Sequence, residues 1–123
     1  MELPFATVSY DEPVVIFIYK KDAELGFPEI RQLVQHAELL SGGKPYVTFS
    51  DVREGVTITE QGKRYVSDPD NMKLFRGTAI FVKNEMVKLA ANFMKHFQNH
   101  RFPFRAFTDE KAAMRWLKKL PLE

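Results

Sequence analysis

Residues 14–19 read Val-Val-Ile-Phe-Ile-Tyr, "VVIFIY". The run is far too short to cross a bilayer. It is dominated by β-branched and aromatic residues, and Pro13 and the polar Lys20-Lys21-Asp22 bound it. A strand that is apolar at every position predicts burial on both faces, hence a place inside a sheet rather than at its edge.

The rest of the chain is read outward from that strand. Residues 5–10 alternate enough to form a strand of their own, joined to it through Asp11-Glu12-Pro13, a tight turn that makes the pair antiparallel. On the other side, Ile30, Leu33, Val34, Ala37 and Leu40 recur at helical spacing, with Pro28 in the first turn and Gly42-Gly43 as the stop. "PYVTFSD" (45–51) predicts a third strand. Thr57-Ile58-Thr59-Glu60 has the form of a capping box, so a second helix is expected to begin near Thr57 and to end before Ser67-Asp68-Pro69. "GTAIFVK" (77–83) is a second strand, almost wholly apolar, and like the first is expected inside the sheet. Asn84 then caps a third helix in which Met86, Leu89, Ala90, Phe93 and Phe97 form the buried stripe. Lys88, Asn92, Lys95 and Asn99 are its wet face. Phe104–Phe107 make a short strand. Thr108-Asp109-Glu110 opens a final helix with Ala113, Trp116, Leu117 and Leu120 inward, and Trp116 is expected to be largely buried. The order β-β-α-β-α-β-α-β-α predicts one α/β domain over residues 1–123, its sheet mixed and mostly parallel.

Three strings carry a resemblance. "SDVR" after the third strand, "LAANF" in the third helix and "PFRAFTDEKAAMRWL" near the end resemble a set of small uncharacterised bacterial proteins similar to the STAS fold. That fold is shared by sulfate-transporter tails and anti-sigma-factor antagonists. The resemblance implies a STAS-like domain with helices packed on one side of the sheet, and a non-catalytic protein-binding or regulatory role. In the antagonists, the loop after the third strand leads to a helix start bearing an Asp-Ser pair, whose serine a partner kinase phosphorylates. Here the segment reads Gly55-Val56-Thr57-Ile58-Thr59-Glu60, without that pair. Thr57, Thr59 and, more weakly, Ser50 are the acceptors that could replace it, a phosphate at a helix start being met by free N–H groups.

The loop itself, "SDVREG" (50–55), concentrates both signs of charge where α/β proteins place their binding groups, at the carboxyl end of a strand. Asp51, Arg53 and Glu54 are the partner-binding candidates. Asp51 is expected to secure the turn, Thr57 to cap the helix, and Arg53 and Glu54 to point outward. Phe97 and Phe102 are candidates for an apolar interface.

Composition narrows the chemistry. There is no cysteine, which removes thiolate catalysis and cysteine-ligated zinc. His96 and His100 are four apart but lack the surrounding pattern of a zinc site, so no metal is expected and no cofactor motif is present. "HFQNHRFPFRAF" (96–107) interleaves basic and aromatic residues without a nucleic-acid-binding motif, and nucleic acid is not the expected partner. No catalytic set is recognisable, leaving an unrecognised enzyme site as one alternative. A hydrophobic-ligand or lipid carrier is the other, suggested by 11 phenylalanines. No secretory leader is visible, and the cytoplasm is the expected location. Residues 1–61 carry five Lys/Arg against ten Asp/Glu, while residues 62–123 carry thirteen against six. Unlike halves suit association, with a protein partner or as a homodimer.

Overall fold

The computed structural model describes residues 1–94 and 102–123, the side chains of residues 93 and 94 excepted. A five-stranded sheet runs β1 (Ala6–Asp11), β2 (Val14–Tyr19), β4 (Tyr46–Asp51), β6 (Phe75–Phe81) and β7 (Phe104–Phe107) in that spatial order. β1 is antiparallel to β2, and every other pairing is parallel. The two apolar runs of the sequence therefore lie inside the sheet, β2 between β1 and β4, and β6 between β4 and β7.

Alternation along β2 sends Val15, Phe17 and Tyr19 to one face and Val14 and Ile16 to the other. The first face packs on helix α1 (Phe27–Leu40) through Ile30, Leu33, Val34 and Ala37. The second packs on α4 (Glu110–Lys118) through Ala113 and Leu117. Helices thus lie on both faces, and the one-sided layer implied by the resemblance is corrected. A sheet whose inner strands are apolar throughout needs cover on each side. Burial at the C-terminal end of β2 is incomplete, since Ile18 is 47% exposed. Trp116 is half-buried instead of largely buried, lying 5.7 Å from the Phe107 ring while Leu117 fills the core position beside it.

Register across β4 and β6 shifts between Tyr46 and Thr48, opposite Gly77 at φ 153°. Beyond the shift Thr48 and Thr78 face each other, and their hydroxyls hydrogen-bond at 2.7 Å.

Two short elements were not legible in the pattern. β3 (Ala23–Leu25) and β5 (Val56–Ile58) form a separate parallel pair of three residues each. Because β5 occupies residues 56–58, the second helix, α2 (Glu60–Ser67), starts later than expected. Its cap is Thr59, whose hydroxyl oxygen accepts the Gly62 N–H at 3.1 Å. Thr57, read as the cap, is an exposed residue of β5. The capping-box spacing misleads here because strand pairing takes Val56–Ile58 first.

α3 (Glu85–Met94) is capped by Asn84, as expected, with the Val87 N–H donating to Asn84 Oδ1 at 2.9 Å. Its orientation is the reverse of the expected one. Met86 and Leu89, placed in the buried stripe, are 81% and 65% exposed. Asn92, placed on the wet face, is turned toward the sheet.

Close packing of α2 yields a test. Alanine in place of glycine inside a helix ordinarily gains about 1 kcal/mol. A Cβ at Gly62 would lie 2.6 Å from the Leu25 carbonyl oxygen and 2.9 Å from Ile30 Cδ1. Gly62→Ala should therefore destabilise by about 1–3 kcal/mol through overpacking. A denaturation midpoint equal to or above wild type would show that α2 does not seat against β3 and α1 in this way.

Candidate functional site

Parallel strands β4 and β6 end side by side, and the chain leaving β4 makes the site. Asp51 is the last residue of β4 and is buried. A buried carboxylate needs donors, and Arg53 supplies three. Its backbone N–H donates to Asp51 Oδ1 at 3.1 Å, closing the expected turn. Its side chain then folds back as a two-pronged clamp, Nε to Oδ1 at 3.0 Å and Nη2 to Oδ2 at 2.7 Å. The guanidinium also lies over the Phe81 ring, 4.3 Å from its centroid. Arg53 therefore does not extend freely from the loop as expected. It is fixed at the surface, with half of its side chain still in water against 8% for that of Asp51. The hydrogen bonds that the guanidinium donates to Asp51 raise its pKa above the ordinary value, burial works against this, and the charges of Asp51, Glu110 and Glu54 add to the rise. It is a permanent cation.

The remainder of the loop is held by the small sheet. The Asp22 N–H donates to the Glu54 carbonyl at 3.1 Å, and the Thr59 N–H donates to the Leu25 carbonyl at 3.0 Å. Gly55 turns the chain at φ 92°. These contacts leave an open cleft of about 450 Å³ whose walls include Asp22, Arg53, Glu54, Lys83 and Val87. Glu54 and Lys83 are both exposed. One wall of the cleft thus comes from the β4 loop, one from the end of β6 and the first turn of α3. Its lining carries two cations, Arg53 and Lys83, and two anions, Asp22 and Glu54, a set suited to reading a polar partner by charge.

The other sequence candidates are dispersed. Ser50 is buried in the interior of β4. Thr57 is exposed on β5, and Thr59 is half-buried at the α2 cap. Phe102 is half-buried and meets Phe75 edge-on, with ring centroids 5.0 Å apart, so it seals one end of the core. Phe97, His96 and His100 lie outside the described residues. Among the described residues there is no group of three His, Cys, Asp or Glu side chains able to hold a metal ion. No helix among them is long and apolar enough to cross a membrane. Sequence reasoning missed the contributions of Asp22 and Lys83. Their place in the cleft depends on the β3–β5 pairing and on the β4–β6 neighbourhood, neither of which local patterning reports.

Comparisons with known proteins agree with this architecture. A family model described as "Domain of unknown function (DUF7793)" matches residues 8–121. The chain is similar to a crystal structure of an uncharacterised protein of the DUF3478 family with a SpoIIAA-like fold, from Shewanella loihica PV-4. The TM-score is 0.61 at 18% identity, over 91% of each chain. That likeness bears out the STAS-like fold. No curated protein matches the chain.

The capping assignment can be tested directly. Thr59→Ala should lose about 0.5–2 kcal/mol of stability, the usual cost of an N-cap hydroxyl. Thr57→Ala, on an exposed strand position, should stay within about 0.5 kcal/mol of wild type. Urea midpoints in the opposite order would return the cap to Thr57.

Proposed function

The chain belongs to the family described as Domain of unknown function (DUF7793), and we propose that it is a non-catalytic, regulatory protein-binding module. Its partner docks in the cleft beside residues 51–55 and presents an anionic group to Arg53. The observation that carries this reading is the state of Arg53. A free arginine side chain loses rotamer entropy on binding. This one is already immobilised by two side-chain hydrogen bonds to Asp51 and by the Phe81 ring. Two of its five side-chain N–H groups serve Asp51 in the clamp, so the remaining donors are directed away from the carboxylate. A planar fork of this kind suits a carboxylate or phosphate oxygen. Asp51 acts as the positioning group and does not meet the partner. Glu54 and Lys83 supply a second pair of charges that would fix the partner's register. Asp22, Arg53, Glu54 and Lys83 share the lining with Val52, Val82 and Val87, and the four charged side chains support a protein partner over a wholly apolar ligand.

Where such a module is switched by phosphorylation, the exposed Thr57 is the acceptor that the geometry favours over Ser50 and Thr59. Mass spectrometry of protein taken from its host, with phosphate on Ser50 or Thr59 and none on Thr57, would contradict that assignment.

The partner test has two steps. Affinity capture from host extract identifies the binding protein, and titration calorimetry then compares wild type, Arg53→Ala and Arg53→Lys. Arg53→Ala should lower the melting temperature, because it takes two of the three donors from buried Asp51. The folded variant should bind roughly tenfold or more weakly, as loss of a charge-assisted contact does. Arg53→Lys should recover little, since an ammonium cannot form the planar clamp. Equal affinities for all three proteins would move the binding site elsewhere.

A further inference from the structure

An open sheet ends in two edges, and unpaired edge groups are templates for another strand. Here the two edges are closed by different means. On the β1 side the chain folds back on itself. Leu3 N–H donates to the Ala6 carbonyl and Val8 N–H to the Met1 carbonyl, both at 2.8 Å, and Glu2 bridges Thr7 in antiparallel fashion. On the β7 side no strand is present among the described residues. A single side chain takes its place. Asn92 Oδ1 accepts the Ala106 N–H at 2.9 Å, and Asn92 Nδ2 donates to the Ala106 carbonyl at 3.2 Å. The carboxamide reproduces the donor–acceptor pair that a neighbouring backbone would offer.

Holding Asn92 there is what reverses α3. The helix turns its polar side to the edge and leaves Met86 and Leu89 in water, and its hydrogen bonds to the β7 strand and the turn after it are made by polar side chains. Besides Asn92 there is a bond from the Thr108 hydroxyl to Glu85 Oε1 at 3.0 Å. Glu85 also pairs with Lys88 at 3.0 Å. Among the described residues, the hydrogen bonds that seat α3 on this edge are part-buried or exposed, and contacts of that kind open at lower free energy than core burial.

We propose that α3 is a removable cover on the β7 edge, latched by Asn92, and that the uncovered edge pairs with β7 of a second copy of this chain. The occupant follows from the strand itself. Antiparallel pairing about a two-fold axis at Ala106 lets each Ala106 exchange both backbone bonds with its counterpart, replacing the two that Asn92 provides. The same register sets Arg105 of one copy opposite Phe107 of the other. Within one chain the Arg105 guanidinium already lies 5.2 Å from the Phe107 ring centroid, so the pair is compatible across the axis. A register centred on Arg105 would instead oppose two cations. The β1 edge cannot serve equally, because residues 1–3 occupy Ala6 and Val8. The β7 edge lies apart from Arg53, although Val87 of α3 lines the Arg53 cleft. Association and Ala106 exchange are read without any partner, so the dimer stands or falls independently of the partner reading.

Sedimentation equilibrium and amide exchange of wild type and Asn92→Ala over a range of protein concentrations decide the matter. Asn92→Ala is expected to raise the dimer association constant roughly tenfold or more. The Ala106 amide should exchange quickly in dilute Asn92→Ala and become protected as the concentration rises. Should Asn92→Ala fail to fold, Thr108→Val loosens the same helix from its other contact and is read by its association constant and by the rise in Ala106 protection with concentration. A variant that stays monomeric overturns the proposal. So does a variant that dimerises while Ala106 exchange stays independent of concentration, since the association would then use the apolar face of α3.

Discussion

A strand that keeps all six of its side chains out of water needs a layer over each face and a bonded neighbour along each edge. β4 has all four. α1 and its cluster cover one side, α4 covers the other, β2 lies along one edge and β6 along the other. Parallel pairing on both edges requires crossovers, and the helices that make the crossovers are the layers the strand needs. The same requirement reaches the end of the strand. Asp51 is buried because β4 is, and a carboxylate there has to be answered by a donor that the next few residues can supply. Arg53 is that donor, so the chemistry at the cleft is a consequence of core burial two residues upstream.

Arg53 is consequently both a structural clamp and a surface cation. An arginine committed to a carboxylate on one side and an aromatic face on another has little freedom left to lose. Its side chain nevertheless remains half in water. That combination separates the roles of the two residues. Asp51 sets the geometry, and Arg53 presents it.

The parts of this fold that were legible in sequence are those decided by long, unbroken apolar patterns. VVIFIY and GTAIFVK identified inner strands, and the Ile30–Leu40 stripe identified α1. The illegible parts are those decided by pairing at a distance. Three residues of β3 and three of β5 carry no periodicity of their own, and only their mutual ladder makes them strands. Once β5 forms, Thr57 cannot cap a helix, although its spacing to Glu60 is correct. α3 shows the same limit differently. Its apolar stripe is real, but at a sheet margin the demand of Ala106 for hydrogen bonds outweighs the burial of Met86 and Leu89. Of the loop candidates, Asp51 was read correctly as the turn-former. Arg53 was placed correctly in position but not in conformation, because a side chain folding back two residues leaves no trace in composition.

Thr48 and Thr78 have a consequence for how the central strands find each other. Val47, Phe49, Ala79 and Phe81 are interchangeable greasy surfaces, and van der Waals packing alone tolerates several alignments of such runs. Two hydroxyls 2.7 Å apart do not. Displacing β6 by one residue along β4 would set Thr48 against Gly77 or Ala79, leaving its buried oxygen without a mate at a cost of about 1–3 kcal/mol. The pair works as a parity check written into the core. It adds little to the total free energy of folding, yet it makes misaligned versions of the sheet distinguishable from the native one before the helices close over them.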